Sequence, residues 1–146
     1  MIDDLEIINV TKQTKLDQYE GVEIPQNICK IHKENRLFLP LNQTWYNLLL
    51  EGQKEWEIRG VSDTFNQKTV KIGRSIEIRK GYQNDSIWGI IKDKFTVNSI
   101  QEIPKPIYDK TIPPSVQEDP EVTKFINEYF KKYDKFILFR IEIQSD

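Results

Sequence analysis

The sequence has one cysteine, Cys29, and one histidine, His32. A lone thiol closes no disulfide within the chain. A zinc site needs about four ligands, and Cys29 with His32 supplies half of such a motif without the other half. No metal or cofactor is therefore expected. Long apolar runs are missing too: none approaches the roughly 20 residues of a membrane-spanning helix. The start, "MIDDLEIINV", is acidic and lacks the positive start and apolar core of a signal peptide. The expected setting is soluble and cytoplasmic. An excess of basic charge is also lacking. The net charge is -2, which argues against a broad nucleic-acid-binding face. Residues 37–100 lean slightly positive between two acidic ends, enough for a local anion site only. There is no internal repeat and no low-complexity tract.

What remains is one ordinary domain's worth of chain. It has 146 residues, 38% of them hydrophobic and 11% aromatic. At this length roughly two-thirds of the unfolded surface is buried, so a core forms without covalent staples. Residues 1–36 are polar and weakly patterned. "LEIINV" reads as a short strand and "GVEIP" as a turn, and the segment is expected to be an extension packed on a domain spanning 37–146.

From Leu37 the pattern sharpens. "RLFLPL" suits a buried strand. "TWYNLLLEG" suits a two-turn helix, with Thr44 as cap, Trp45, Leu48 and Leu49 on one face, and Gly52 as the left-handed terminator. In "EGQKEWEIRG" the period becomes two: Trp56 and Ile58 alternate with Glu55, Glu57 and Arg59, the mark of a strand with one face in the core. Lys54 is out of phase with Glu57, so it reaches the same place only from the turn, on its long stem. Residues 61–69 are a polar loop. Val70, Ile72, Ile76 and Ile78 are in phase around Gly73, which predicts two strand pieces joined by a turn or bulge. "IWGIIKDKFTV" reads as a strand with Gly89 at a crowded point. Five of the seven prolines fall within residues 101–120, which predicts a stiff connection. Asp119 and Pro120 then open a helix whose apolar face is Val122, Phe125, Ile126, Tyr129, Phe130 and Tyr133. "KFILFRIEI" is the closing strand. Short strands and two helices without regular alternation indicate a mixed sheet or small barrel.

"QTWYNLLLEGQKEWEIRG" resembles the signature of ASCH domains, whose short helix ends in G-x-K-x-x-E-x-R. The motif is filled here by Gly52, Lys54, Glu57 and Arg59, and the Gln-x-Trp of some members by Gln43 and Trp45. "VKIGRSIEI" looks like the next family element, although many relatives have Gly-Asp where this chain has Gly73-Arg74. The final helix and strand also look alike, so the resemblance covers residues 37–146. It implies an α+β fold: a small PUA-like β-barrel of about five to six strands, with a short helix before the motif strand and a helix before the last strand. It further implies a cleft where helix meets barrel, and an association with RNA or modified nucleosides.

On that resemblance Lys54 and Glu57 are the candidate catalytic pair. Arg59, Trp45, Gly52, Arg74 and Tyr82 are the candidate ligand-binding residues. Arg59 offers a fork of donors to phosphate or carboxylate. Lys54 is a cation, or a base once burial lowers its pKa. Trp45, Trp56 or Tyr82 offers a stacking face. The plainer reading is a solvated Lys–Glu–Arg ladder on a strand face, with both tryptophans in the core. Some small ASCH proteins are amidohydrolases acting on acetylated cytidine. They carry threonine where this chain has Glu57, and a glutamate ahead of the last helix, a region where Glu118 and Glu121 lie here. Other members are ribonucleases. The altered nucleophile position favours binding of RNA or a nucleotide over either enzyme; a non-catalytic adaptor is the third alternative.

Overall fold

The computed structural model describes residues 31–144. Residues from Asn35 onward form one compact unit and are described by themselves. Most of the expected extension, including the strand read in "LEIINV", lies outside the described residues.

The elements follow the hydrophobic pattern closely. Strand β1 is Leu37–Leu41, helix α1 Gln43–Leu50, β2 Trp56–Gly60, β3 Ser75–Lys80 and β4 Ser86–Val97. Helices α2 (Lys105–Thr111), α3 (Pro114–Gln117) and α4 (Pro120–Phe130) come next, and β5 (Phe136–Gln144) closes the chain. The five strands form one sheet in the order β1-β3-β4-β5-β2. The β1·β3 pair is parallel and the other three are antiparallel. The sheet is a curled half-barrel whose edge strands are β1 and β2, and β2 carries Glu57 and Arg59 of the motif. Pro40 has no N–H to donate and sits on edge strand β1, where that lack is tolerated.

Both faces of the sheet are covered, which explains why "FILFRIEI" is almost continuously apolar. On one face Ile137, Phe139 and Ile141 of β5 join Leu39, Ile76 and Ile78, closed over by Tyr46 and Leu49 of α1 and by Phe65 and Val70 of the loop. On the other face Phe136 and Leu138 pack with Trp56 and Val97, under Tyr108 of α2 and Tyr129 and Phe130 of α4. Leu39 is fully buried, and Leu39→Ala would cost about 2–5 kcal/mol. Gly89 stands where β4 and β5 leave no room for a side chain: a Cβ there would lie 2.7 Å from Ile141 Cγ2.

Three expectations are corrected. Helix α1 is capped by Asn42, whose side chain accepts from the Trp45 N–H; Thr44 lies inside the first turn. The residues around Gly73 do not form two strand pieces. Gly73 takes a positive φ of 94 in a turn, Ile72 is 60% exposed, and the strand begins only at Ser75. The proline-rich connection is largely helical, because Pro106 and Pro114 both stand in first turns, where a missing N–H costs no hydrogen bond. The cap at Asp119 is as the sequence indicates: its side chain accepts from the Glu121 N–H and Pro120 begins the helix.

Candidate functional site

Gly52 ends α1 with φ 86, a conformation that costs other residues about 1 kcal/mol or more. The chain therefore turns sharply and delivers Lys54 just ahead of β2. Lys54 is only 3% exposed. Its Nζ donates to the Trp56 carbonyl (2.6 Å) and the Thr111 carbonyl (2.8 Å), and lies 3.0 Å from Glu57 Oε1. Three acceptors around one nitrogen fit an ammonium, since a neutral amine would aim its lone pair at one of them. Burial pushes the Lys54 pKa below the ordinary lysine value, against the opposing pull of Glu57.

Register explains the rest of the cluster. Glu57 pairs with Phe139 and Arg59 with Ile137, so both charged side chains lie on the face that α1 covers, since residues directly opposite share a side. The plainer alternative of a solvated ladder does not hold, because Glu57 is only 6% exposed. Its second oxygen accepts from Arg59 Nε at 2.6 Å. Burial alone would raise the Glu57 carboxyl, but the Lys54 ammonium and the Arg59 guanidinium outweigh it and hold the pKa below the carboxylate norm. Arg59 also donates from Nη2 to the Pro40 carbonyl at 3.2 Å. It thus bridges the two edge strands, while its guanidinium carbon sits 4.9 Å from the Phe65 ring centroid. Its remaining donors are not engaged by this set of bonds.

Over these charges lies a cavity of about 250 Å³. Trp45 stands on the α1 side, and Phe125, Ile126, Tyr129 and Phe130 on the α4 side, with Ile58 of the β2 edge between. Lys54 Nζ lies 5.3 Å from the Trp45 ring centroid. Phe125 is 52% exposed and stacks on Tyr129 at 6.1 Å. Burial raises the Tyr129 phenol, whose oxygen accepts from the Gly60 N–H at 2.8 Å. Among the described residues that line the cavity, Glu57 is the one carboxylate.

The structure thus brings Lys54, Glu57, Arg59 and Trp45 to one place, with Gly52 shaping the approach. It does not bring Arg74 or Tyr82 there. Arg74 donates to the carbonyls of Asn35, Arg36 and Thr69, a turn-fastening role that accounts for a cation after Gly73. Tyr82 is 86% exposed at the β3–β4 turn and does not line the cavity. Trp56 packs in the core under α2 and α4, edge-on to Phe95 at 5.4 Å. Neither Glu118 nor Glu121 lines the cavity. Sequence reasoning missed Phe125 as a wall, and its signal was available: the α4 stripe holds more apolar residues than one packing face requires.

No protein-family model matches this chain, and no curated protein matches its sequence. Solved structures do match in shape. The hypothetical protein PH0355 aligns at a TM-score of 0.54 and 21% identity, over 73% of this chain and 97% of that one. Protein PF0455 of Pyrococcus furiosus aligns at 0.53 and 18%, over 76% and 99%. An ASCH protein of Zymomonas mobilis aligns at 0.51 and 12%, over 72% of this chain and 65% of that one. Over about three quarters of its length this chain has the α+β fold that these structures share, an ASCH protein among them.

Proposed function

We propose that this domain binds RNA or a nucleotide through one unpaired nucleoside unit held in the cavity between α1, the β2 edge and α4. The observation that supports this reading most is the pair of aromatic walls, Trp45 and half-exposed Phe125, beside an arginine with donors left over. Aromatic faces stack bases at about 1–3 kcal/mol each, and the guanidinium takes a phosphate or sugar oxygen. The volume agrees: about 250 Å³ is below the roughly 300–1,000 Å³ of cavities that enclose drug-sized ligands. Lys54 is not the phosphate ligand in this reading, because its three hydrogen bonds are internal. For the same reason binding is favoured over catalysis. Lys54 and Glu57 neutralise each other, so neither is a ready base or nucleophile.

The test is an anisotropy titration of the full chain with a labelled short single-stranded RNA at low salt, repeated with Phe125→Ala. Binding is expected, with a shallow salt slope set by about one phosphate contact and an affinity at least fivefold lower in the variant. No binding of RNA, nucleotides or nucleosides under these conditions refutes the proposal. Turnover of single-stranded RNA or of acetylated cytidine, followed by chromatography, would replace it with the enzymatic reading.

A further inference from the structure

The phase of β2 against β5 decides which of its main-chain groups face the cavity. Ile141 N–H donates to the Glu55 carbonyl and Val61 N–H to the Lys135 carbonyl. The Glu55 C=O, the N–H and C=O of Glu57 and Arg59, and the Val61 N–H therefore turn toward β5, while the Glu55 N–H goes to the Lys110 carbonyl; residues 56, 58 and 60 turn their groups to the free edge. That edge is stopped at both ends. The Trp56 carbonyl accepts from Lys54 Nζ, and the Gly60 N–H donates to the Tyr129 hydroxyl. Between the two stoppers stands Ile58, a cavity-lining residue, and no protein group among the described residues meets its N–H or C=O.

Resting on the binding reading above, the geometry points to a more specific ligand chemistry: a planar ring whose edge carries a hydrogen-bond acceptor next to a donor, matched by the Ile58 N–H and C=O. The Watson–Crick edge of an unpaired base is such an edge. One strand residue presents one donor and one acceptor on the same side, so it suits a pairing of this kind and is too short for another β-strand, which needs several alternate residues. The stoppers also exclude strand addition, since both flanking residues already have partners on that side. Trp45, Phe125 and Ile58 line the same cavity, so a ring held there on an aromatic wall has its rim within reach of the backbone. A base already paired in a duplex has no such rim to offer, so the site selects single strands or free nucleosides. Affinity in this picture comes mainly from stacking, and discrimination from the edge, where an unmatched buried donor or acceptor costs more than the matched bond contributes.

The test uses the uniformly ¹⁵N-labelled full chain, titrated separately with adenosine, N6,N6-dimethyladenosine and ribose 5-phosphate. Adenosine is expected to move the Ile58 amide resonance among the largest shifts. The dimethyl analogue keeps the ring but loses the exocyclic donor, and should bind about tenfold more weakly. Ribose 5-phosphate should leave Ile58 unmoved. Equal binding of the two nucleosides, or shifts on α1 and α4 with a stationary Ile58 amide, overturns the edge pairing while leaving nucleoside binding intact. If ribose 5-phosphate matches adenosine in affinity, the site recognises the anion and the inference fails. Failure of every ligand, single-stranded RNA included, sinks both the inference and the reading beneath it.

Discussion

Lys54→Ala is the perturbation with the most to say about how this domain is built. Removing the ammonium leaves Glu57, at 6% exposure, with Arg59 as its remaining charged partner. It also strips a donor from the Trp56 and Thr111 carbonyls. Breaking a buried ion pair from one side costs about 3–5 kcal/mol, most of it from groups left uncompensated. For a domain of this size that is roughly 10–15 °C in Tm, and it is a large share of a total stability of about 5–15 kcal/mol. Urea denaturation followed by tryptophan fluorescence is the assay, because Trp45 and Trp56 both flank the site. The cycle is completed with Lys54→Met, Glu57→Gln and the double variant. The double variant is expected to be more stable than the sum of the single losses implies, with a coupling of about 2 kcal/mol. A loss under about 1 kcal/mol for Lys54→Ala, or additive single losses within about 0.5 kcal/mol, would refute the claim that the ammonium is the internal fastening of this corner.

Further outcomes follow from contacts elsewhere. Gly60→Ala would put a Cβ 2.2 Å from Tyr133 Cγ; a loss above about 2 kcal/mol by denaturation is expected, relieved in part by adding Tyr133→Ala. Tyr129→Phe removes the acceptor of the Gly60 N–H and should cost about 1 kcal/mol, with faster hydrogen exchange at the Gly60 amide. Glu77 is 4% exposed; burial alone would raise its carboxyl, but hydrogen bonds from Ser86, Arg36 and Arg79 overcome that and set its pKa to about 2. A carboxyl that titrates lower in the folded chain contributes its stability above about pH 4.5 and loses it as pH falls toward about 2. Both arginines reach water, so the contribution is about 2 kcal/mol after screening. Glu77→Gln should flatten stability against pH in that window, measured by urea midpoints at pH 6, 4 and about 2.5.

Much of this fold is readable from local pattern because the elements obey their own periods. The α1 face, the Trp56–Ile58 alternation and the Asp119–Pro120 start of α4 need no tertiary information, and each lies where the residues place it. Enclosure was not readable. Glu57 and Arg59 look like a solvent-facing ladder because alternation says only that they oppose Trp56 and Ile58. That both faces of β2 are covered is decided by α1 and the loop on one side and by α2 and α4 on the other, elements distant in sequence. Val70 and Ile72 show the opposite failure. They are in phase with Ile76 and Ile78, yet Val70 is buried from a loop and Ile72 points to water, since the turn at Gly73 resets the phase. Within the site, the convergence of Lys54, Glu57 and Arg59 follows from spacing plus one long side chain. The α4 wall and the Ile58 edge do not, because they depend on how a helix sixty residues later lies across the sheet's margin.

The Arg59–Pro40 contact gives the half-barrel an unusual seam. A barrel stitched by a full ladder of peptide groups has a circumference fixed by its main chain, and no single replacement widens it. Here, among the described residues, the hydrogen bond between the two margins comes from one guanidinium, so a shorter residue at position 59 would remove it while every strand pairing stayed as it is. Descendants of such a sequence would have a direct route to larger or smaller guests: trimming one tether, with the frame left alone.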